Sequence, residues 1–400
     1  VPTLDLTPIR RDADRGRIAG RLQDVATASL DLVVPAGALR WGGSALNVDA
    51  ATVATGEPLL LPDGVYDALP VTPTRTAVRQ AAERVRIPLA YVDRLTGQGH
   101  ADLACTNLNT LQQRDDRSVL LRLLTDGSDD GHLLRAVLST SYAAIDNVDV
   151  LGAVMRGMTD ADVGLADCEV DADWTLDRFR LRIAVPQIAV AIPDLLADYR
   201  PPYTMLPGRD VHAPAQQGEV PPVLWAGLEV TNSETGGGAM RISPRAVVLI
   251  CRNGLTRPID VVRQVHMGAR LDEGIVEWSA LTRQRALDLT TSQVADAVRT
   301  FCSAEYLTRV ADEMRRAKGL EVVSPTDATA QVVKACGLTE DEGRAVLDLF
   351  ATSGDRSVLG LGQAVTVVAQ HAADGDRQAE IEAQFWTVVG TPERFVGAAA

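Results

Sequence analysis

The sequence predicts an α+β protein, with a central antiparallel sheet flanked by helices and a helical C-terminal region. Short apolar runs separated by turn residues recur between Ser118 and Cys251, the pattern of antiparallel strands. Apolar residues recur at helical spacing before that stretch, in Arg75 to Arg86, and over most of the chain after Ser279. A stretch of strands followed by a stretch of helices is the arrangement of an α+β chain.

Taken in order, residues 1–72 read as an extended N-terminal segment packed on the rest. Pro35, Gly37, Gly42, Gly43, Pro58, Pro62, Gly64 and Pro70 interrupt any long period, leaving strand-like runs at Leu30 to Val34 and Leu59 to Leu61. Residues 73–320 form the α+β core. Thr74 caps a helix whose apolar face is Ala77, Val78, Ala81, Ala82 and Val85, and Pro88 stops it. Helices are expected around Leu89 to Leu95 and Ala101 to Leu111, then strands at Val119 to Leu124 and Leu133 to Ser139 around a turn at Asp126 to Gly131. Asn147 to Met158 reads as a helix. Arg178, Arg180 and Arg182 alternate with Phe179, Leu181 and Ile183, which is strand spacing with one charged face.

After a proline-rich stretch at 201–222, Leu224 to Val230 and Met240 to Cys251 form two strands joined across Thr235-Gly236-Gly237-Gly238. Ser279 to Lys318 is helical, with Gly319 as C-cap. Residues 321–400 are an acidic helical region, with helices over Ala328 to Cys336, Glu340 to Phe350, Gln363 to His371 and Ala379 to Val389.

Composition narrows the function classes. The 400 residues carry 53 acidic and 39 basic side chains, a net charge of −14, with 46% hydrophobic and 23% charged residues. Those proportions fit a soluble globular protein and exclude a largely disordered, collagen-like or disulfide-scaffold chain. No stretch has the roughly 18–20 apolar residues of a membrane span, and the charged start is followed by no apolar signal core. A cytoplasmic protein without membrane contact is expected. The basic residues are almost all arginine, Lys318 and Lys334 being the only lysines, a bias that fits a high-GC genome. Cys105, Cys168, Cys251, Cys302 and Cys336 are widely spaced and show no zinc pattern, so they read as buried thiols.

Chemical motifs are sparse. There is no Gly-x-Ser-x-Gly elbow, no Walker loop, no dinucleotide fingerprint and no grouping among His100, His132, His212, His266 and His371. No cofactor, metal ligand set or catalytic residue is assigned. Asp160, Asp162, Asp167, Glu169, Asp171 and Asp173 form the densest carboxylate group, which a metal-dependent phosphodiesterase would need and which the wet face of a strand also explains. The strongest positive signal is Arg241, Arg245, Arg252, Arg257, Arg263 and Arg270 against the single acid Asp260. Local positive charge on an acidic body suits a confined anion site, and Asn232 and Ser233 before the turn offer hydrogen bonds to phosphate or sugar. The alternative is that Arg241 and Arg245 pair with Glu229 or Glu234 across the hairpin. Trp225, Tyr199 and Tyr203 offer stacking surfaces or core packing.

Several segments together carry a family resemblance. They are Leu134-Arg135-Ala136-Val137-Leu138-Ser139 through Tyr142 to Ile145-Asp146-Asn147, then Val230-Thr231-Asn232-Ser233-Glu234-Thr235-Gly236, then Cys251-Arg252-Asn253-Gly254-Leu255. A looser fourth runs from Gly360 through Ala364-Val365-Thr366 to Gln378 and Glu382. In order and spacing they resemble the phage/plasmid-like proteins, known as domain of unknown function nine hundred and thirty-two, over roughly Ala77 to Val389. The resemblance implies a mobile-element setting with DNA replication, recombination or defence nearby. The expected function is a non-catalytic protein that binds or anneals single-stranded DNA, with a possible homo-oligomer as the working form. Arg241, Arg245, Arg252 and Arg257 would contact phosphates, with Arg135 also in the interface, while Asn232, Ser233 and Tyr142 orient the strand. Two alternatives stand beside it: a metal-dependent nuclease using Asp171 and Asp173, and an acidic protein-interaction module of counter-defence that mimics DNA.

Overall fold

The computed structural model describes residues 4–44, 46–125, 131–142, 145–196, 223–248, 253–256, 262–264, 270–271, 274–275, 280–372 and 375–397. The chain enters through strand β1 (Ile9–Asp12) and helix α1 (Arg15–Ala28). Asp14 caps α1 by accepting the Arg17 N–H, and Ile18, Leu22 and Val25 are its buried apolar face. The sequence reading has no helix here, because three arginines and two glycines leave only a narrow apolar stripe. Strands β2 (Ser29–Pro35), β3 (Leu39–Gly42), β4 (Ala50–Val53), β5 (Leu59–Leu61), β6 (Gly64–Tyr66) and β7 (Leu69–Pro73) follow. Helix α2 (Arg75–Arg84) starts at Thr74, whose hydroxyl accepts the Ala77 N–H; α3 (Leu89–Gly97) starts after Pro88 and α4 (Ala101–Gln112) after His100. Strands β8 (Ser118–Thr125) and β9 (His132–Ser139) are an antiparallel pair.

Six of these strands form one sheet in the order β2-β8-β9-β7-β4-β3, antiparallel except where β7 runs parallel to β9. Its core unites Val53, Leu69, Leu121 and Leu123 with Ala81 of α2 and Leu108 of α4.

Helix α5 (Asn147–Asp160) leads to β10 (Glu169–Trp174), β11 (Phe179–Ala191), the short α6 (Pro193–Leu196), β12 (Val223–Asn232), β13 (Met240–Val248), β14 (Asn253–Thr256) and β15 (Val262–Gln264). These make the second sheet, in the order β1-β10-β11-β12-β13-β14 with β15 also on β13, and every pairing is antiparallel. A small ribbon, β16 (Arg270–Leu271) and β17 (Gly274–Ile275), precedes the helices α7 (Ala280–Phe301), α8 (Ala304–Lys318), α9 (Pro325–Cys336), α10 (Glu340–Ser353), α11 (Val358–Ala369), α12 (Gly375–Ala383) and α13 (Phe385–Val389). The helix expected over Ser279 to Lys318 divides at Ser303, whose hydroxyl accepts the Tyr306 N–H and starts α8. Gly319 does cap α8, with an ordinary right-handed φ of −72°.

The α+β class, the antiparallel pairing and the helical C-terminal region are as expected, while the strands divide between two large sheets. Two-residue alternation gives the second sheet unlike faces. Trp174, Phe179, Leu181, Ile183, Leu228, Val230 and Ile242 form one side and share a core with Leu307, Val310 and Met314 of α8. Asp171, Asp173, Arg180, Arg182, Glu229 and Arg245 form the other. Among the described residues no helix is long and apolar enough to cross a membrane.

Candidate functional site

The two sheets meet at a buried polar seam, and the first two resemblance motifs converge there. Arg135 on β9 is 1% exposed, and its Nη1 donates to Glu234 Oε2 at 2.8 Å, itself only 2% exposed. Arg135 Nη2 also donates to the Leu176 carbonyl at 2.6 Å. The other carboxylate oxygen, Glu234 Oε1, accepts the Asn147 N–H at 2.7 Å. Glu234 thereby places negative charge at the N-terminus of α5, where the unpaired amides and the helix dipole favour it. Asp146 is the N-cap by position, yet its carboxylate pairs with Arg122 of β8 and makes no cap bond.

The turn from β12 to β13 supplies the rest. Asn232 donates to the Ile145 carbonyl at 2.9 Å and to Asn147 Oδ1 at 2.8 Å. Ser233 Oγ donates to the Asp177 carbonyl at 2.7 Å and accepts the Gly237 N–H at 2.9 Å. The Tyr142 hydroxyl donates to the Ser233 carbonyl at 2.9 Å, and burial pushes this phenol upward, out of reach of physiological titration. Gln80 of α2 ties both sides: its amide nitrogen donates to the Thr235 carbonyl at 2.6 Å and its oxygen accepts the Val137 N–H at 2.9 Å. Gly236 takes φ +77°, and a Cβ there would lie 2.8 Å from Leu138 Cδ2, so the tight turn requires glycine.

These contacts decide what the expected site residues can do. Arg135, Asn232 and Ser233 are each 1% exposed and bonded to protein groups, so they offer no face to a phosphate outside. Glu234 pairs with Arg135, so the expected hairpin pairing of Glu234 with Arg241 or Arg245 is not made. Tyr142 closes the same network. Arg245 lies on β13, 4% exposed, beneath the polar face of the second sheet. Arg241, near the hairpin end of β13, is exposed. Arg252 and Arg257 lie outside the described residues, as do Tyr199, Tyr203 and the proline-rich 201–222. Trp225 is half-buried on β12.

The carboxylate group read as a metal site is drawn apart. Arg182, 2% exposed, donates to Asp171 at 2.6 Å and to Asp173 at 2.7 Å. Burial raises the Asp173 carboxyl, but hydrogen bonds from Arg182 and the Arg11 amide outweigh it and hold it below the usual range. Asp160 and Asp162 lie instead at the end of α5. Among the described residues no group of three or more His, Cys, Asp or Glu side chains is arranged to hold a metal ion.

No family model matches the chain, and neither a curated protein nor a solved structure is found similar to it. The site is therefore read from its own geometry. Sequence reasoning missed Gln80, Arg122 and Asp146, whose partners lie on other elements. A usable signal was present for Glu234: an acid within the polar run Asn232-Ser233-Glu234-Thr235 immediately before a glycine turn.

Proposed function

We propose that the protein is a non-catalytic, single-strand DNA-binding protein of phage or other mobile elements, working as an oligomer. The observation that supports it best is a cross-strand row on the second sheet. The registers set Arg180 opposite Thr231, Thr231 opposite Arg241 and Arg241 opposite Arg263. Arg180 is 6% exposed and bonded to the Gly375 carbonyl, so the exposed arginine of this row is Arg241, two strands or about 10 Å away. Beside the row lie the exposed Gly236, Gly237 and Gly238, whose bare backbone lets a chain approach closely. Arg178 borders the same turn, donating to the Gly237 carbonyl at 3.1 Å.

In this reading Arg241 contacts phosphate together with Arg252 and Arg257, which lie outside the described residues. Arg135, Asn232, Ser233 and Tyr142 hold the hairpin rigid from beneath. The test is fluorescence anisotropy with labelled oligothymidine over a salt series, alongside size-exclusion chromatography. Three phosphate contacts give a slope of about −2 in log affinity against log salt. Binding that ignores salt, or equal binding by Arg241→Gln, refutes the proposal.

A further inference from the structure

The polar face of the second sheet holds a buried cation, Arg245. Arg245 makes no hydrogen bond or ion pair among the described residues, and its Nε is fully enclosed. It sits on the same face of the sheet as Arg182 and Glu229, and the charge that acts on it most is Glu382 of α12. Burial pulls its pKa down, yet a guanidinium stays protonated in a protein. Glu382 and Glu229 offset the charge through space without bonding to it, so the guanidinium's own hydrogen-bonding capacity is left to another acceptor.

The neighbouring arginines are occupied, and α12 does much of the occupying. Arg178 pairs with Asp376 at 2.9 Å; Arg180 donates to the Gly375 carbonyl at 2.5 Å and lies 3.4 Å from Asp376. Arg11 pairs with Glu382 at 2.9 Å, and Gln378 donates to the same carboxylate at 2.9 Å. Without α12 the face presents Arg11, Arg178, Arg180, Arg182 and Arg245 against Asp171, Asp173 and Glu229. Asp376 and Glu382 add two negative charges to this face. Ile381, 1% exposed in the main core, and the Arg377–Glu342 pair tie α12 to the other helices, while Asp376 and Glu382 are the side chains it turns to these arginines.

The geometry points to a second phosphate-binding surface on this face, closed in the free protein by α12, whose Asp376 and Glu382 stand where backbone phosphates of a single-stranded nucleic acid would lie. This inference rests on the single-strand reading and extends it: the exposed Arg241 row makes first contact, and displacement of α12 opens the inner arginines. With α12 closed, Arg245 has Glu382 as a through-space counter-charge but no hydrogen-bonding anion among the described residues, whereas a phosphate in the place of that carboxylate can fork onto it. An acid that stabilises the closed state subtracts from the observed affinity in proportion to the closed population.

The experiment measures oligothymidine affinity by anisotropy for the wild type, Asp376→Asn, Glu382→Gln and Glu382→Gln/Arg245→Met, with circular dichroism as the fold check. Each acid substitution is expected to tighten binding about tenfold, and Arg245→Met to remove the gain. Asp376 is half-exposed, so Asp376→Asn carries the test if Glu382→Gln does not fold. Hydrogen exchange should show residues 375–383 losing protection when oligothymidine binds. If the wild type binds and neither acid variant binds more tightly, the inference falls and the proposed function stands. If only the acid variants bind, the inference stands and the open Arg241 row is not the entry site. No binding by any form, a gain that survives Arg245→Met, or unchanged protection of α12 overturns the inference.

Discussion

Replacing Glu234 by alanine tests whether the seam between the sheets holds the fold. The carboxylate accepts from Arg135 at 2.8 Å and from the Asn147 amide at 2.7 Å, and both charged partners are at most 2% exposed. Glu234→Ala leaves the Arg135 guanidinium buried with the Leu176 carbonyl as its remaining acceptor and strips the first amide of α5. Removing one partner of a buried pair costs about 3–5 kcal/mol, a large part of a typical domain's stability. Glu234→Gln keeps an acceptor for Asn147 and loses only the charge, so about 2 kcal/mol is expected. Replacing both partners by apolar residues of similar size, in Arg135→Met/Glu234→Leu, should recover at least half of the single-mutant loss, because no unpaired charge then remains. Urea unfolding followed by far-UV circular dichroism reads these differences as midpoint shifts at constant slope. A Glu234→Ala cost below about 1 kcal/mol, or a double variant no better than the single one, refutes the argument that the buried pair is what matters.

Three further outcomes follow from the same structure. Hydrogen bonds from Arg117 and then Arg84 hold Asp115 at about 2, and Arg182 holds Asp173 below its ordinary 3.8. Carboxyls depressed in the folded state stabilise above 3.8 and lose that contribution as pH falls toward 2. Acid unfolding should therefore be steep in that window, and Asp173→Asn should flatten it; an unchanged slope contradicts the assignment. A Cβ at Gly227 would sit 2.2 Å from the Ile183 carbonyl oxygen, so Gly227→Ala should cost about 1–3 kcal/mol by thermal unfolding. Burial pushes the Cys302 thiol to about 12 and Cys336 to about 11, so both should resist a thiol reagent at pH 8 until urea is added. Mapping the label by mass spectrometry checks this, and rapid native labelling of either would contradict their burial.

Local signals carried most of the element assignments. Thr74 and Pro88 framed α2, the glycine run marked the β12–β13 turn, and the alternation from Arg178 to Ile183 marked β11, because caps, turns and two-residue periods depend on adjacent residues alone. Helix α1 escaped because its arginines and glycines dilute its apolar stripe. The break at Ser303 escaped because the helical period continues across it, and only the Ser303–Tyr306 cap bond distinguishes two helices from one. The candidate site was half legible. Its motifs stand out in the sequence as a set, but whether each faces inward or outward depends on partners far away in the chain.

The sequence by itself determined the class, the turns and which residues are chemically able to bind an anion. Only the tertiary structure decided which of them face outward. Charge counted along a window treats every arginine between Arg241 and Arg270 alike, whereas burial depends on partners far away in the chain. Arg135 meets Glu234 across 99 positions, and Arg180 meets Gly375 across 195. Those long-range pairings put Arg135 inside the seam, Arg245 beneath α12 and Arg241 at the surface. The strand register sets the residues on one face, and packing between the sheets and the C-terminal helices determines whether that face meets solvent or protein.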